Sequence, residues 1–479
     1  MTDKSHLLVI GVMTGNSLDG ADVVLTRFDE DGSIRDLKAH NLESPPELAQ
    51  RLRELRTLVN SRKGDMDAVS KDLIFEETHN EYIDFVAQAI GELIKIAKED
   101  EELKSTYDLN DIDLIGFHGQ TCAHFPPSIA KANDPSIVYT VQIGDGQMLA
   151  DLTGITVVCD FRSDDLMNGN TGNFTIISTR SPGSAGGSPA SNTNTEHNEP
   201  YIAGWDVGPF NNYPDQLVRD ERGHSCDMDG QFGRWGQIKE SLMRKLFETA
   251  VITNDRRNFL TLPPPKSSDP QWYKVIPELA GKAMLDQKTL TFEDRLRTAE
   301  YFAAYIFVFA LTMIPEDVTV PHHFALSGGG WKNPISRNHF AGLLAGDFLN
   351  HPVLKEHKEI FEGFIKRLPE PAVIEFSDKY GFDGTAMEAR IFADAAACRI
   401  KGEAFTQPNT TGATSDTICG IIHFPNKAES NGTFQLHKWL EKHQSRDLTK
   451  PLDHFDSRWS RASAGWSQRL TKDSKASPS

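Results

Sequence analysis

Residues 7–27, LLVIGVMTGNSLDGADVVLTR, set a glycine-rich polar loop between two apolar runs. The second run decides the fold. Ala21–Arg27 is rich in β-branched residues and too short for an amphipathic helix, whereas Leu7–Val12 is a continuous apolar strand of the buried type. Strand, loop and strand make a hairpin. There is no GxxxxGK[ST], no GxGxxG and no following helix to lend an N-terminal dipole, which excludes a P-loop and a dinucleotide fingerprint. The loop still suits an anion. Gly15 and Gly20 lack a Cβ and let backbone N–H groups approach a phosphate, Thr14, Asn16 and Ser17 supply neutral donors, and Asp19 and Asp22 suit Mg²⁺ or its waters. An ordinary Gly/Asn/Asp hairpin turn reads the same way, so this segment alone leaves both open.

At 479 residues with a net charge of −18, the chain has room for two or three cores, and two lobes are expected. The acidic balance argues against nucleic acid or an anionic membrane as partner. Cys122, Cys159, Cys226, Cys398 and Cys419 lack CxxC spacing, which speaks against a zinc site or a disulfide framework and fits the cytoplasm. The first apolar run has no basic flank or cleavage site and reads as a strand, not a signal peptide. Phe302–Ile314 falls short of the ~20 residues that span a bilayer, and is expected to be a buried helix ended by Pro315.

Pro45–Glu102 has helical spacing, broken near Lys63-Gly64-Asp65. Short strands then end in polar residues: Leu114–Phe117 runs into His118-Gly119-Gln120-Thr121, Val138–Ile143 into Gly144-Asp145-Gly146-Gln147, and Val157-Val158 into Asp160-Phe161-Arg162. In an α/β sheet, such strand tips line the ligand crevice, so the three are expected to share one site. Residues 178–200 are polar and aperiodic, an expected insert, and the polar stretch 426–479 is expected to be a flexible tail. Between them, Gln237–Glu248 and Leu290–Ile314 read as helices. Strand Phe324–Leu326 enters Ser327-Gly328-Gly329-Gly330, and Asn333-Pro334 opens another helix.

Asp206 follows Ile202-Ala203-Gly204-Trp205, read as a strand, and precedes Val207-Gly208-Pro209. An Asp fixed at a strand-to-turn junction suits a general base, and equally suits a plain turn-former. Glu388 falls at the start of a helix, where the dipole alone would favour it. His118, lying between glycines, suits a substrate oxygen or a structural role. Gly328, Gly329 and Gly330 after a strand suggest close backbone approach to a nucleotide.

Taken in order, GVMTGNSLDGADVVL, GFHGQT, QIGDGQMLADLTGITVVCDFR, GWDVGPFNN, PPPKSS, LSGGGWKNP and GTAMEA resemble the 1,6-anhydro-N-acetylmuramic acid kinase family over roughly residues 7–425. The resemblance implies an α/β fold of two ribonuclease-H-like lobes of the actin-like ATPase superfamily, one spanning 1–158 and the other 159–425. It places ATP and Mg²⁺ in the interlobe cleft, with closure on the sugar. It gives the ATP phosphates to Gly15, Asn16, Ser17, Leu18, Asp19, Gly20, Ala21 and Asp22, with Asp19 and Asp22 toward Mg²⁺, and the adenosine to Gly328–Gly330. Asp206 becomes the base, while Thr121, Arg162 and Glu388 match sugar contacts. The implied reaction opens the 1,6-anhydro bridge with water and phosphorylates O6, and a homodimer is plausible on the same ground. One departure bears on the sugar. Arg162 is followed by Ser163-Asp164-Asp165-Leu166-Met167 and not by the family's further arginines, which leaves another anhydrosugar such as levoglucosan, or an inactive relative, as alternatives.

Overall fold

A computed structural model describes residues 6–15, 18–125, 139–167, 203–208, 210–250, 257–266 and 290–426. The chain divides into two compact units, Met1–Asn173 with Gly381–Ser479, and Phe174–Tyr380. The expected insert at 178–200 and the tail lie outside the described residues, Asn426 excepted.

The opening hairpin forms as its sequence requires. Strand β1 (His6–Thr14) pairs antiparallel with β2 (Gly20–Asp29), which pairs antiparallel with β3 (Ile34–Glu43). On the other side β1 runs parallel to β4 (Leu114–Phe117), and β4 runs parallel to β7 (Val157–Cys159). A late strand, β10 (Ile421–His423), closes that edge antiparallel to β7, so the sheet order is β10-β7-β4-β1-β2-β3. Strand β1 is covered on both faces, which is why its sequence is continuously apolar. Leu8, Ile10 and Val12 face a core shared with helices α1 (Pro46–Ser61) and α2 (Leu73–Glu99). Gly11 on β1 and Gly116 on β4 face a helix at 387–401, so closely that an added Cβ would overlap the carbonyls of Ala389 and Phe392. The expected break between α1 and α2 holds Lys63 and Gly64 at positive φ, +50° and +73°.

Two expectations about this unit change. The segment around Val138–Ile143 does not join the main sheet. Its strand β6 (Tyr139–Ile143) pairs with β5 (Gln120–Phe125) in a sheet of its own, because Gly119 at φ +77° turns the chain away after β4. The division of the chain also falls elsewhere than 158/159 and 425. β7 with Arg162, and the returning residues from 381, lie in the first unit, where helix 387–401 packs on β1 and β4 and β10 completes the sheet.

The second unit is mainly helical. Its hub is helix α6 (Phe292–Leu311), capped by the Thr291 hydroxyl accepting from the Asp294 N–H at 3.1 Å. Nearly every face of α6 is buried, against Leu242, Leu246 and Phe247 of α5 (Glu240–Thr249), and against Phe340, Leu343 and Leu344 of α7 (Pro334–Leu344). The expected strand at Phe324–Leu326 is β8 (His323–Leu326), parallel to β9 (Val373–Phe376). No strand forms at 203–208. The Asp206 N–H instead donates to the Lys266 carbonyl at 2.9 Å, which leaves its loop without a ladder. Among the described residues no helix is long and apolar enough to cross a membrane, and the five cysteines form no disulfide.

Candidate functional site

In the first unit the hairpin loop is tied to the GFHGQT turn. The buried Gln120 side chain donates from Nε2 to the Gly15 carbonyl at 3.3 Å, and the Leu18 N–H donates to the same carbonyl at 3.2 Å. Leu18 sits at φ +60° with its side chain buried, and Ala21 is buried in the ladder between Thr14 and Leu42, so these two offer only backbone to a ligand. Asn16 and Ser17 lie outside the described residues. Gly20 starts β2 opposite Glu43, where an added Cβ would lie 2.5 Å from the Leu42 carbonyl oxygen.

Asp22 is half-buried on β2 and accepts from Asn41 Nδ2 at 2.8 Å. Burial raises its pKa above the usual carboxylate value, and the neighbouring Asp19 and Asp383 add to that against the Asn41 hydrogen bond. A carboxylate with two acidic neighbours is eased by a cation, and Mg²⁺ is usually held by one or two carboxylates with water and phosphate oxygens. Asp19 and Asp22 fit that pattern. Among the described residues no three acidic, His or Cys side chains form a cage of their own, so any Mg²⁺ here would depend on such outside oxygens.

Arg162 follows Asp160, which sits at φ +59°. Its Nε donates to His118 Nε2 at 3.0 Å, while His118 Nδ1 lies 2.8 Å from the Gly119 carbonyl. A guanidinium only donates, so Nε2 must accept and the proton must sit on Nδ1. His118 is therefore neutral in one fixed tautomer. Burial holds its pKa well below 6.5, and Arg162 adds to the effect. His118 also packs against Phe392 of the 387–401 helix, with ring centroids 4.4 Å apart and the rings tilted by 38°. Thr121 is buried on β5, and Glu388 is exposed in the first turn of helix 387–401 beside Ala389.

In the second unit Asp206 is tied to Lys266 of the PPPK segment, and the GGG loop packs on Phe210 and Asn211. Asp206 is buried, and its backbone is fixed by Lys266. Lys266 is 5% exposed and donates from Nζ to the carbonyls of Phe259 and Leu260 at 3.0 and 3.1 Å, with the Phe259 ring centroid 4.8 Å away. Burial pushes its pKa down to about 8 against the pull of Asp206. Gly328 sits at φ +93°, and a Cβ added at Gly328 or Gly329 would meet nothing within 4 Å. That flank has room. At Gly330 a Cβ would overlap the Asn211 amide, so the GGG loop packs directly on GWDVGPFNN. Asn333 then caps α7, its Oδ1 accepting from the Ile335 N–H at 2.8 Å.

Gln120, Lys266, Asn211 and Asp383 were not singled out by sequence reasoning. Each lies in or beside a quoted motif or glycine-rich turn, and a polar residue next to such a turn was the available signal.

A family model for anhydro-N-acetylmuramic acid kinase matches residues 7–181 and 185–351. Similar chains carrying that name include one from Agrobacterium fabrum, 27% identical over 436 residues, covering 86% of this chain and 97% of the relative. Another, from Methylorubrum extorquens, is 29% identical over 432 residues, covering 87% and 98%. A third, from Rhizorhabdus wittichii, is 27% identical over 431 residues, covering 88% and 100%. The fold and this match define a phosphotransferase with an alcohol group as acceptor. The chain belongs to the anhydro-N-acetylmuramic acid kinase family.

Proposed function

We propose that the protein uses ATP to convert 1,6-anhydro-N-acetylmuramic acid and water to N-acetylmuramic acid 6-phosphate. Asp206 takes a proton from water, and the water oxygen bonds to the anomeric carbon. The bond from that carbon to O6 breaks, and O6 takes the γ-phosphoryl group as ADP leaves. Phosphoryl transfer asks mostly for positioning and charge stabilisation, and the opening hairpin from Gly15 to Asp22 supplies backbone donors for phosphates. Mg²⁺, when bound, would neutralise phosphate charge, and Asp19 and Asp22 are the residues to hold it. Gly328 and Gly329, with their open flank, take the adenosine side. Thr121, Arg162 and Glu388 contact the sugar, with Arg162 held by neutral His118. The ribonuclease-H-like reading is supported by the β1–β2–β3 antiparallel meander continued by parallel β4 and β7.

One observation carries the proposal: the family match runs through the hairpin, Thr121, Arg162, Asp206, Lys266 and Gly328–Gly330. The test is ADP release from ATP and Mg²⁺ with and without the anhydrosugar, in water enriched with ¹⁸O. Expected is sugar-dependent ADP release with ¹⁸O at the anomeric carbon, and an Asp206→Asn enzyme slowed by about 10²–10⁴-fold, the usual worth of a general base. ADP release indifferent to the sugar would sink the proposal.

A further inference from the structure

We propose that Glu300 is a positioning residue for the nucleotide, holding Asn333 and through it the Gly328–Gly330 loop against helix α6. This rests on the reading of that loop as the adenosine side. Glu300 is fully buried, and from Tyr301 to Leu311 the helix beyond it carries no charged side chain. A carboxyl group is costly in such a place, whereas an apolar side chain would fill the space at no such cost. The group is accounted for by what it holds. Its Oε1 accepts from Asn333 Nδ2 at 2.7 Å, Asn333 Oδ1 accepts from the Ile335 N–H at 2.8 Å, and the Asn333 N–H donates to the Gly330 carbonyl at 3.2 Å. The Asn333 amide is thus fixed at both ends. Three residues on, Ser336 Oγ donates to the Glu300 backbone carbonyl at 3.2 Å. The far side of the carboxyl is closed by Gly233, where an added Cβ would lie 2.0 Å from Glu300 Oε2, and the Gly233 N–H donates to Asp227 Oδ2 at 2.9 Å. Burial raises the Glu300 pKa well above the usual carboxylate value and Asp227 adds to this, so Asn333 meets the neutral acid, a form that glutamine reproduces. The loop is therefore anchored at Gly330 and open at Gly328 and Gly329, where an added Cβ meets nothing within 4 Å. A loop fixed before binding loses little entropy when the nucleotide arrives.

The test is calorimetric binding of ADP, with Mg²⁺, to the full chain, read beside the melting temperature. Glu300→Gln keeps the acceptor and should bind ADP within about twofold of the native chain. Glu300→Met keeps the length without the acceptor and should bind about 3–10-fold more weakly, the usual worth of one hydrogen bond. Asn333→Ser can still cap α7 but cannot reach Glu300. It should weaken ADP to the same extent, and combining it with Glu300→Met should weaken binding no further, because the two residues act as one unit. A purely structural Glu300 would lower the melting temperature in Glu300→Met and leave the ADP affinity of the folded protein unmoved, which overturns the proposal. Equal weakening in Glu300→Gln overturns it too, since the acceptor would then not be what matters. Should Glu300→Met fail to fold, native ADP affinity in Asn333→Ser overturns it equally. A native chain that binds no ADP overturns it together with the adenosine reading, whereas one that binds ADP without sugar-dependent turnover counts against the proposed reaction alone.

Discussion

His118 illustrates how much chemistry one buried residue fixes. Its Nε2 is committed to Arg162 and its Nδ1 to the Gly119 carbonyl, so adding a proton would set a cation against a guanidinium in a dry site. Its folded pKa is therefore held below the unfolded value of about 6.5. The unfolded chain binds the proton and the native chain does not, so stability gained from this site is present above about pH 6.5 and is lost as pH falls below it. The slope approaches about 1.4 kcal/mol per pH unit. Replacing His118 by Asn should flatten the pH dependence of urea unfolding between about 5 and 6.5 by one proton, and an unchanged slope would refute the assignment. Nitrogen NMR should also find a single Nδ1–H tautomer through that range. The sequence made His118 visible as a residue between glycines but gave no sign of its partner, which lies 44 residues along the chain. Asp206 could be singled out as a candidate because an Asp shortly before Gly-Pro is positionally constrained. Lys266 was not, since Pro-Pro-Pro-Lys reads as loop and its burial arises only when the 259–261 turn closes over it.

At the scale of elements, the legible parts were those whose local pattern and tertiary setting agree. The hairpin, α1, α2, α6 and the Asn333-capped α7 follow directly from β-branching, helical spacing and capping residues. The misplaced parts were those decided by partners distant in sequence. Gln120 and Thr121 read as the polar tip of the strand before them, but they open a new strand, Gln120–Phe125, because Tyr139–Ile143 lies beside it. Ala203-Gly204-Trp205, read as the end of a strand, stays irregular, and the Asp206 N–H that follows is taken by Lys266. The two strand glycines carry the most specific consequence. Gly11 and Gly116 place β1 and β4 directly against the backbone of helix 387–401. Ala at position 116 would force that helix outward, and overpacking of this kind costs about 1–3 kcal/mol or more. Gly116→Ala should lower the melting temperature by several degrees, whereas Ala in place of the exposed Gly363, where a Cβ meets nothing, should not lower it. Equal melting of the two variants would refute the close packing.

Across the whole molecule, the chain folds one unit from the interior of its sequence and the other from its two flanks. The unit from Phe174 to Tyr380 is continuous, and among the described residues its core, from Ala203 to Phe364, draws on none outside it. The other unit needs both flanks, because β1 and β4 are covered on one face by helix 387–401 and β7 is paired by β10. Removing everything after residue 380 strips from the sheet the buried Phe392 and Ile400, among others. At about 1.5–3 kcal/mol for each large apolar side chain, those two alone remove roughly 3–6 kcal/mol, against a typical total of ~5–15 kcal/mol. A fragment of residues 174–380 should therefore melt in one cooperative step with native helical circular dichroism, while a fragment of residues 1–380 should keep that transition and lose the one belonging to the sheet. The reverse result, with 1–380 keeping two transitions, would mean that the returning helix is an ornament on the sheet and not its second face. The glycines at 11 and 116 argue against that outcome: a strand that faced water would have no reason to leave two bare backbone positions aligned under a helix.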